Sequence, residues 1–505
     1  MKKFLISLLL TVVVVVVVVV GGVYTMLFTP YGNEKVAPMI KEALDDELHV
    51  DSTIDKFLLN TDEFEIILHL SSDNMLSAKG TYSISEQSVN ATYKVMFEKL
   101  ADLKVVTKTD LIGALHVEGI AVGNQEELIV SGSSDIASSK TTYKAVLNNF
   151  NPSRIQATIK DASLSQLLSL VKQPHYSDGL LSVNADITDV NIGTLAGTVV
   201  TKISKGKLNA KLMQKDFGLK NMPATSYTLH VNSNLNGNDV VSAVDFNSNL
   251  ASLNVKKAVF DVSNSYIKSD YKLNIASLNN LYFITERDLD GGIVITGDLS
   301  KDKDLRFSAN SNTLGGNIKA NLVNDDFKAK LNSLNTLSML KMLKYPQMFN
   351  STLNGDLKYN LKSQKGDLDA KLLNGQFVKN QMFDAIKNLA STDLYKYKYE
   401  STLKTDINKE NLTTDLVMKS NNVLIESKKM KLNTKTNIID ASFDINANKN
   451  EIGVSLTGDV NSPKVDIDAT KLIKKEGGKL LQKELNKHMD KDTANKIGNL
   501  LNGLF

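Results

Sequence analysis

Chemistry-bearing residues in this sequence are sparse. The six histidines, His49, His69, His116, His175, His230 and His488, are dispersed, with no H-E-x-x-H or other pair at metal-ligand spacing. Cysteine is absent, which excludes disulfide staples, thiolate zinc sites and cysteine nucleophiles. Neither a G-x-S-x-G elbow nor a phosphate-binding loop occurs. Ser169-Leu170-Val171-Lys172 and Ser265-Tyr266-Ile267-Lys268 fit S-x-x-K, yet the companion K-T-G element is missing. Asp440, Asp444, Asp466 and Asp468 fall between apolar residues without the spacing of an EF-hand or a calcium-binding nonapeptide repeat. These residues predict solvated strand faces, with no catalytic residue, no metal and no cofactor: not an enzyme.

The surrounding composition points to a large folded body. The 505 residues carry 59 Lys and Arg against 56 Asp and Glu, a net charge of +3, without the basic excess of a nucleic-acid binder. Hydrophobic residues make up 42% and charged residues 23%, enough to bury a core along most of the chain. There is no Trp and there are only seven Pro, which argues against stacking platforms and Pro-rich linkers.

The two ends differ from the middle. Met1-Lys2-Lys3 precedes an uncharged run, Phe4 to Phe28, that includes Val12 to Val20 without interruption. At about 1.5 Å per residue such a run can span the ~30 Å hydrocarbon core. Gly21-Gly22-Val23-Tyr24 is a poor cleavage site. The prediction is an uncleaved signal-anchor in the inner membrane, single-pass, with the bulk of the chain in the periplasm. Residues 1–3 form its cytoplasmic tip, 4–28 the anchor and 29–50 a juxtamembrane helix in which Val36, Met39, Ile40, Ala43, Leu44 and Leu48 recur at helical spacing. Residues 471–505 read as a basic amphipathic segment, with Leu472, Ile473, Leu480, Leu481 and Leu485 among five lysines.

Residues 51–470 read as strands. Ile155, Ala157 and Ile159 alternate with Gln156 and Thr158; Tyr227, Leu229 and Val231 with Thr228 and His230; Leu357, Tyr359 and Leu361 with Lys358 and Asn360. Ile439, Ala441, Phe443, Ile445 and Ala447 continue the pattern. Period two places apolar side chains on one face and polar ones on the other. Asn236-Gly237-Asn238, Asp290-Gly291-Gly292, Leu314-Gly315-Gly316-Asn317, Asn354-Gly355-Asp356 and Asn374-Gly375 read as turns between strands. The fold class is mainly β with short helices, antiparallel and rich in hairpins. A degenerate unit, S-L-x-x-L, spacer, Gly, strand, turn, strand, recurs from Ala162, from Ala276 and from Asn332.

This organisation resembles the AsmA-like family of bacterial envelope proteins, related to the TamB group. The resemblance is carried by Phe28-Thr29-Pro30-Tyr31-Gly32-Asn33 after the apolar run, and by the S-L-x-x-L … G-x-L unit in Ala162 to Val183. It is sharpest in Val454 to Asp468, which looks like the closing L-x-G-x-[VL]-x-x-P-x-[VL]-x-[VL] strand pair. The resemblance implies an elongated, twisted sheet curled into a groove, similar to repeating-β-groove lipid transfer proteins. It implies movement of phospholipid between inner and outer membranes and support of outer-membrane homeostasis. The partners implied are phospholipids, the inner membrane, and the outer membrane or a protein partner there or in the periplasm, with no nucleic acid.

The residues themselves supply a mechanism. A curled sheet of about 20–28 period-two strands has an apolar concave face and a polar convex face. Candidate groove-lining residues are Ile155, Ala157, Ile159, Tyr227, Leu229 and Val231. In the second half they are Leu357, Tyr359, Leu361, Ile439, Phe443 and Ile445, then Val454, Leu456, Val465 and Ile467. The alternative is a non-catalytic envelope scaffold or outer-membrane protein assembly factor whose sheet edge pairs with client strands.

Overall fold

A computed structural model describes residues 28–48, 52–104, 110–191, 193–390, 393–447 and 450–468. Among them are twenty-six strands in antiparallel pairing, with a few short helices between. The strands run from Thr53 to Asp468, and the chain divides into two compact units, residues 1–271 and 272–505. Among the described residues no helix is long and apolar enough to cross a membrane. The expected assignment as a single-pass inner-membrane protein is therefore corrected: nothing described provides the span, and the periplasmic placement of the remainder falls with it. The apolar run up to Leu27 and the segment 471–505 lie outside the described residues.

In the first unit each strand pairs with the next in sequence, from β1 (Thr53–Leu59) to β13 (Ser252–Asp261). Opposed residues share a face, so the register can be followed from strand to strand. One row reads Phe57, Ile66, Ala78, Tyr93, Gly119, Gly132, Tyr143, Ala157, Ala185, Val199, Ser233, Ser242 and Ala258. No charged residue occurs in it. Neighbouring positions on each strand point the other way and form rows such as Glu65, Lys79, Thr92, Ile120 and Ser131. The alternation in sequence thus becomes one apolar and one mainly polar face.

In such a meander, alternate connections lie on the same rim. Among the described residues of the first unit every helix falls on one rim. Helix α1 (Pro30–Leu48) leads into β1, α2 (Leu164–Leu170) comes after β8 (Asn151–Ser163), and α3 (Ala210–Phe217) after β10 (Leu195–Leu208). Among the described residues the opposite rim has short turns and loops. Helix α1 is hooked to β1 by Asn33, whose side chain donates to the Leu59 carbonyl and accepts from the Leu59 amide, both at 3.2 Å.

The second unit repeats the scheme. The row Leu299, Phe307, Leu322, Phe327, Tyr359, Gly366, Ile407, Leu412, Leu432, Ile439 and Gly458 crosses its strands from β15 (Ile293–Lys301) to β25 (Asn450–Asp459). Helices α5 (Thr336–Met342) and α6 (Gln381–Ala390) come after β18 (Asp326–Asn335) and β20 (Lys365–Phe377) and share a rim. The short helix α4 (Tyr282–Thr285) precedes β15. Among the described residues β1 pairs with β2 (Glu63–Ser71) alone and β26 (Lys464–Asp468) with β25 alone.

The degenerate repeat has a structural meaning. Asp161, Lys205, Ser333 and Asn374 adopt positive φ at bulges in β8, β10, β18 and β20, each just before a helix. A bulge bends the strand and turns the chain beyond it in a new direction. Ala162 and Leu334, the next residues in two cases, are buried. Ser163 and Asn335 then cap the helices by accepting from Gln166 and Ser338 amides. Two expected turns are corrected here. Asn374-Gly375 is the bulge of β20, and Asn354-Gly355-Asp356 lies within β19 (Phe349–Asn360). A Cβ on Gly355 would come within 2.8 Å of the Asp369 carbonyl, so glycine there serves close strand approach.

Candidate functional site

The apolar face of the first unit has two sections. Over the early strands it is filled by the protein itself. Leu68, Leu76, Val95, Phe97 and Leu100 are buried together, with Ile40 of α1 and Leu170 of α2 packed against them. Leu59, Phe64, Ile66, Ala78 and Tyr82 form a second cluster under Phe28 and Val36. Leu128, Val130 and Leu147 form a third, beside Tyr93 and Tyr143.

From β8 onward the same face is apolar but half-exposed. One row across β8 to β13 is Ala162, Leu181, Ile203, Leu229, Phe246 and Leu253; another is Ile159, Val183, Thr201, Val231, Val244 and Val255. Of these twelve only Ala162 and Val255 are buried. Tyr227 extends the face towards the helical rim, where its hydroxyl meets the Ser177 hydroxyl at 2.6 Å.

The two sections meet at a tyrosine pair. Tyr93 on β4 (Ser88–Phe97) and Tyr143 on β7 (Lys140–Asn148) hydrogen-bond hydroxyl to hydroxyl. Burial, and the Tyr143 hydroxyl beside it, push the Tyr93 hydroxyl well above its ordinary pKa. Between them Gly119 and Gly132 leave room: a Cβ there would lie 2.5 Å from the Tyr93 hydroxyl and 2.7 Å from that of Tyr143. Sequence reasoning missed this pair, although a Gly opposite a Gly between two tyrosine-bearing strands is the signal that could have found it.

Most of the candidate residues fall on the apolar face of one unit or the other. Ile155, Ala157, Ile159, Tyr227, Leu229 and Val231 share the half-exposed face of the first unit. Leu357, Tyr359 and Ile439 lie on the apolar face of the second, where Phe443 pairs with Val454 and Val454 in turn with Ile467. Ile445, Val454 and Leu456 are buried in a core built with Phe383 and Ile386 of α6. Val465 pairs with Leu456 and is exposed. Leu361 is corrected: β19 ends at Asn360, and Leu361 sits in the turn after it, 47% exposed. In the second unit the half-exposed stretch is nearer its start, where Leu299, Phe307, Ile318 and Leu322 line the face.

The polar face is not uniformly convex, as alternation alone would have it. A cavity of about 710 Å³ crosses β2 to β6 (Leu128–Ser134). Its lining takes three consecutive residues from each strand, for example Ser77-Ala78-Lys79 and Thr92-Tyr93-Lys94. The flanking residues of each triplet belong to the polar phase, which places the opening on that face.

Titratable groups cluster at the rims. His116 hydrogen-bonds Asp135 through Nδ1 at 2.9 Å and Glu98 through Nε2 at 2.8 Å. Asp135 chiefly, and Glu98 with it, raises the His116 pKa against the opposing effect of burial. The Ser169 hydroxyl touches His175 Nε2 on the exposed end of α2 and donates to the Ser165 carbonyl. Among the described residues no group of three or more His, Asp or Glu is arranged to hold a metal. What the arrangement offers chemically is apolar area in reach of solvent. A comparison with protein-family models gives no match for this chain, and a comparison with curated proteins gives none.

Proposed function

We propose that this protein binds lipid acyl chains on the half-exposed apolar face of β8 to β13, and that it serves lipid transfer between membranes. The observation that carries the reading is the pair of rows across six strands, apolar at every position but Thr201, left half-exposed beside a section that the protein fills itself. Contiguous apolar area of this kind usually marks a binding surface. Each methylene that moves from water onto it contributes about 0.8 kcal/mol. Successive strands present similar rows, so a chain can shift from one to the next without returning to water. The headgroup stays at the rim. The likeness in sequence organisation to AsmA-like proteins supports the same reading, with phospholipid as the ligand class.

The test is mass spectrometry of lipid extracted from the purified full chain. Wild type carries phospholipid, and Ile159→Asp with Leu229→Lys removes it while strand content by circular dichroism is retained. Equal lipid in wild type and the double variant would overturn the reading.

A further inference from the structure

We infer that the helical rim around α3 is a docking lip for an anionic lipid surface. The inference extends the acyl-chain reading and rests on it for its purpose, since chains must reach the apolar face from some membrane.

Helix α3 buries none of its residues. It is set by its ends: Asn209 caps it by accepting from the Leu212 amide, the Asn209 amide donates to the Tyr176 carbonyl, and Gly218 closes it in the left-handed conformation. Phe217 at its last position is 60% exposed, and its ring rests against Tyr176 with centroids 5.4 Å apart. Residues 205–220 hold five lysines, Lys205, Lys207, Lys211, Lys215 and Lys220, and a single acid, Asp216. That acid accepts a hydrogen bond from the Tyr176 hydroxyl at 3.1 Å. Lys211 and Lys215 occupy the arc of α3 opposite Met213 and Phe217. A short helix with an exposed aromatic on one side and lysines on the other suits the boundary between headgroups and acyl chains: the ring enters, the ammonium groups stay at phosphate level. The surplus of lysines selects an anionic surface over a neutral one. The location fits the purpose, because α3 comes directly after β10, whose Ile203 and Thr201 lie in the half-exposed rows.

The chain has no tryptophan, so one introduced there reports on its own site even if other segments touch lipid. The full-length Phe217→Trp protein is mixed with vesicles of phosphatidylglycerol and phosphatidylcholine, and with vesicles of phosphatidylcholine alone. Emission should move to shorter wavelength, with quenching by brominated lipid, on the anionic vesicles only. Phe260→Trp, on the opposite rim at the end of β13, should not respond. Adding Lys211→Glu and Lys215→Glu to Phe217→Trp should weaken the apparent affinity about tenfold or more. No shift at position 217, an equal shift at both positions, or charge-reversed protein binding as tightly as its parent overturns the inference. Loss of the vesicle response with co-purified lipid intact sinks the lip alone. Lipid-free protein whose lip still responds sinks the acyl-chain reading instead.

Discussion

Tyr93 and Tyr143 approach from strands that are not neighbours and meet hydroxyl to hydroxyl above Gly119 and Gly132. The two rings occupy the stretch of apolar face that the glycines leave bare. On one side of the pair lies the cluster built on Leu68 and Phe97, and that of Leu128 packs beside the pair itself. On the other begin Ile155, Ile159 and the half-exposed rows. The pair therefore marks where a self-filled sheet gives way to one whose apolar side chains are half-exposed. It is an end-stop made from two side chains and the absence of two others.

Tyr143→Phe tests how tightly that stop is held. The substitution keeps the ring and leaves the Tyr93 hydroxyl with only the Ser131 carbonyl, 3.4 Å away. A buried hydroxyl short of a partner costs about 1–3 kcal/mol. Urea unfolding should show a loss of that size for Tyr143→Phe, and the double variant with Tyr93→Phe should recover most of it. Additive losses in the double variant would mean that the hydroxyls are not coupled.

Leu147→Ala and Leu229→Ala separate filled from open face. Leu147 is 2% exposed in the cluster beside the tyrosines, so truncation should cost about 2–5 kcal/mol. Leu229 is half-exposed, and the same change there should cost less than about 1.5 kcal/mol in lipid-stripped protein. Equal losses by denaturant unfolding would mean that the later strands are ordinary core.

Much of this arrangement is legible in the residues, and the remainder is not, for identifiable reasons. Alternation in Ile155 to Ile159 and in Ile439 to Ala447 puts the apolar side chains on one face and the residues between them on the other, because successive side chains of a strand point to opposite faces. It says nothing of what lies over that face. Ile445 and Ile159 look alike in sequence, yet Ile445 is packed under α6 and Ile159 is not. That difference comes from Phe383 and Ile386, which lie far from Ile445 along the chain. Glycine-containing dipeptides mislead similarly. Asn236-Gly237 makes a turn while Asn374-Gly375 makes a bulge, and local conformational preference is the same for both.

His116 gives the first unit a pH-dependent clasp. As an imidazolium it donates to both Asp135 and Glu98; as neutral imidazole it has one N–H and can satisfy only one of them. Its pKa is raised in the folded chain, mainly by Asp135. The stabilisation is thus fully present below the unfolded value of about 6.5 and is lost as pH rises through the higher folded value. The denaturation midpoint of wild type should exceed that of His116→Gln most clearly in mild acid, with the gap closing on the alkaline side. A gap that widens with rising pH would contradict the assignment.

Asn33 tests how the first edge is protected. Its side chain does for β1 what a further strand would do, taking both the amide and the carbonyl of Leu59. Leu59 is itself 1% exposed, so water cannot easily replace either bond. Asn33→Leu removes both partners, at about 1 kcal/mol for each bond and more if the backbone groups stay buried. Val36 and Ile40, with the Asp45 carboxylate that accepts from Ser52, would then have to hold α1 over the early clusters. Hydrogen exchange read by mass spectrometry should show faster exchange in residues 53–59 of the variant, with the half-exposed strands β8 to β13 unchanged. Unaltered protection of β1 would mean that packing, and not the Asn33 bridge, fixes α1 to the sheet.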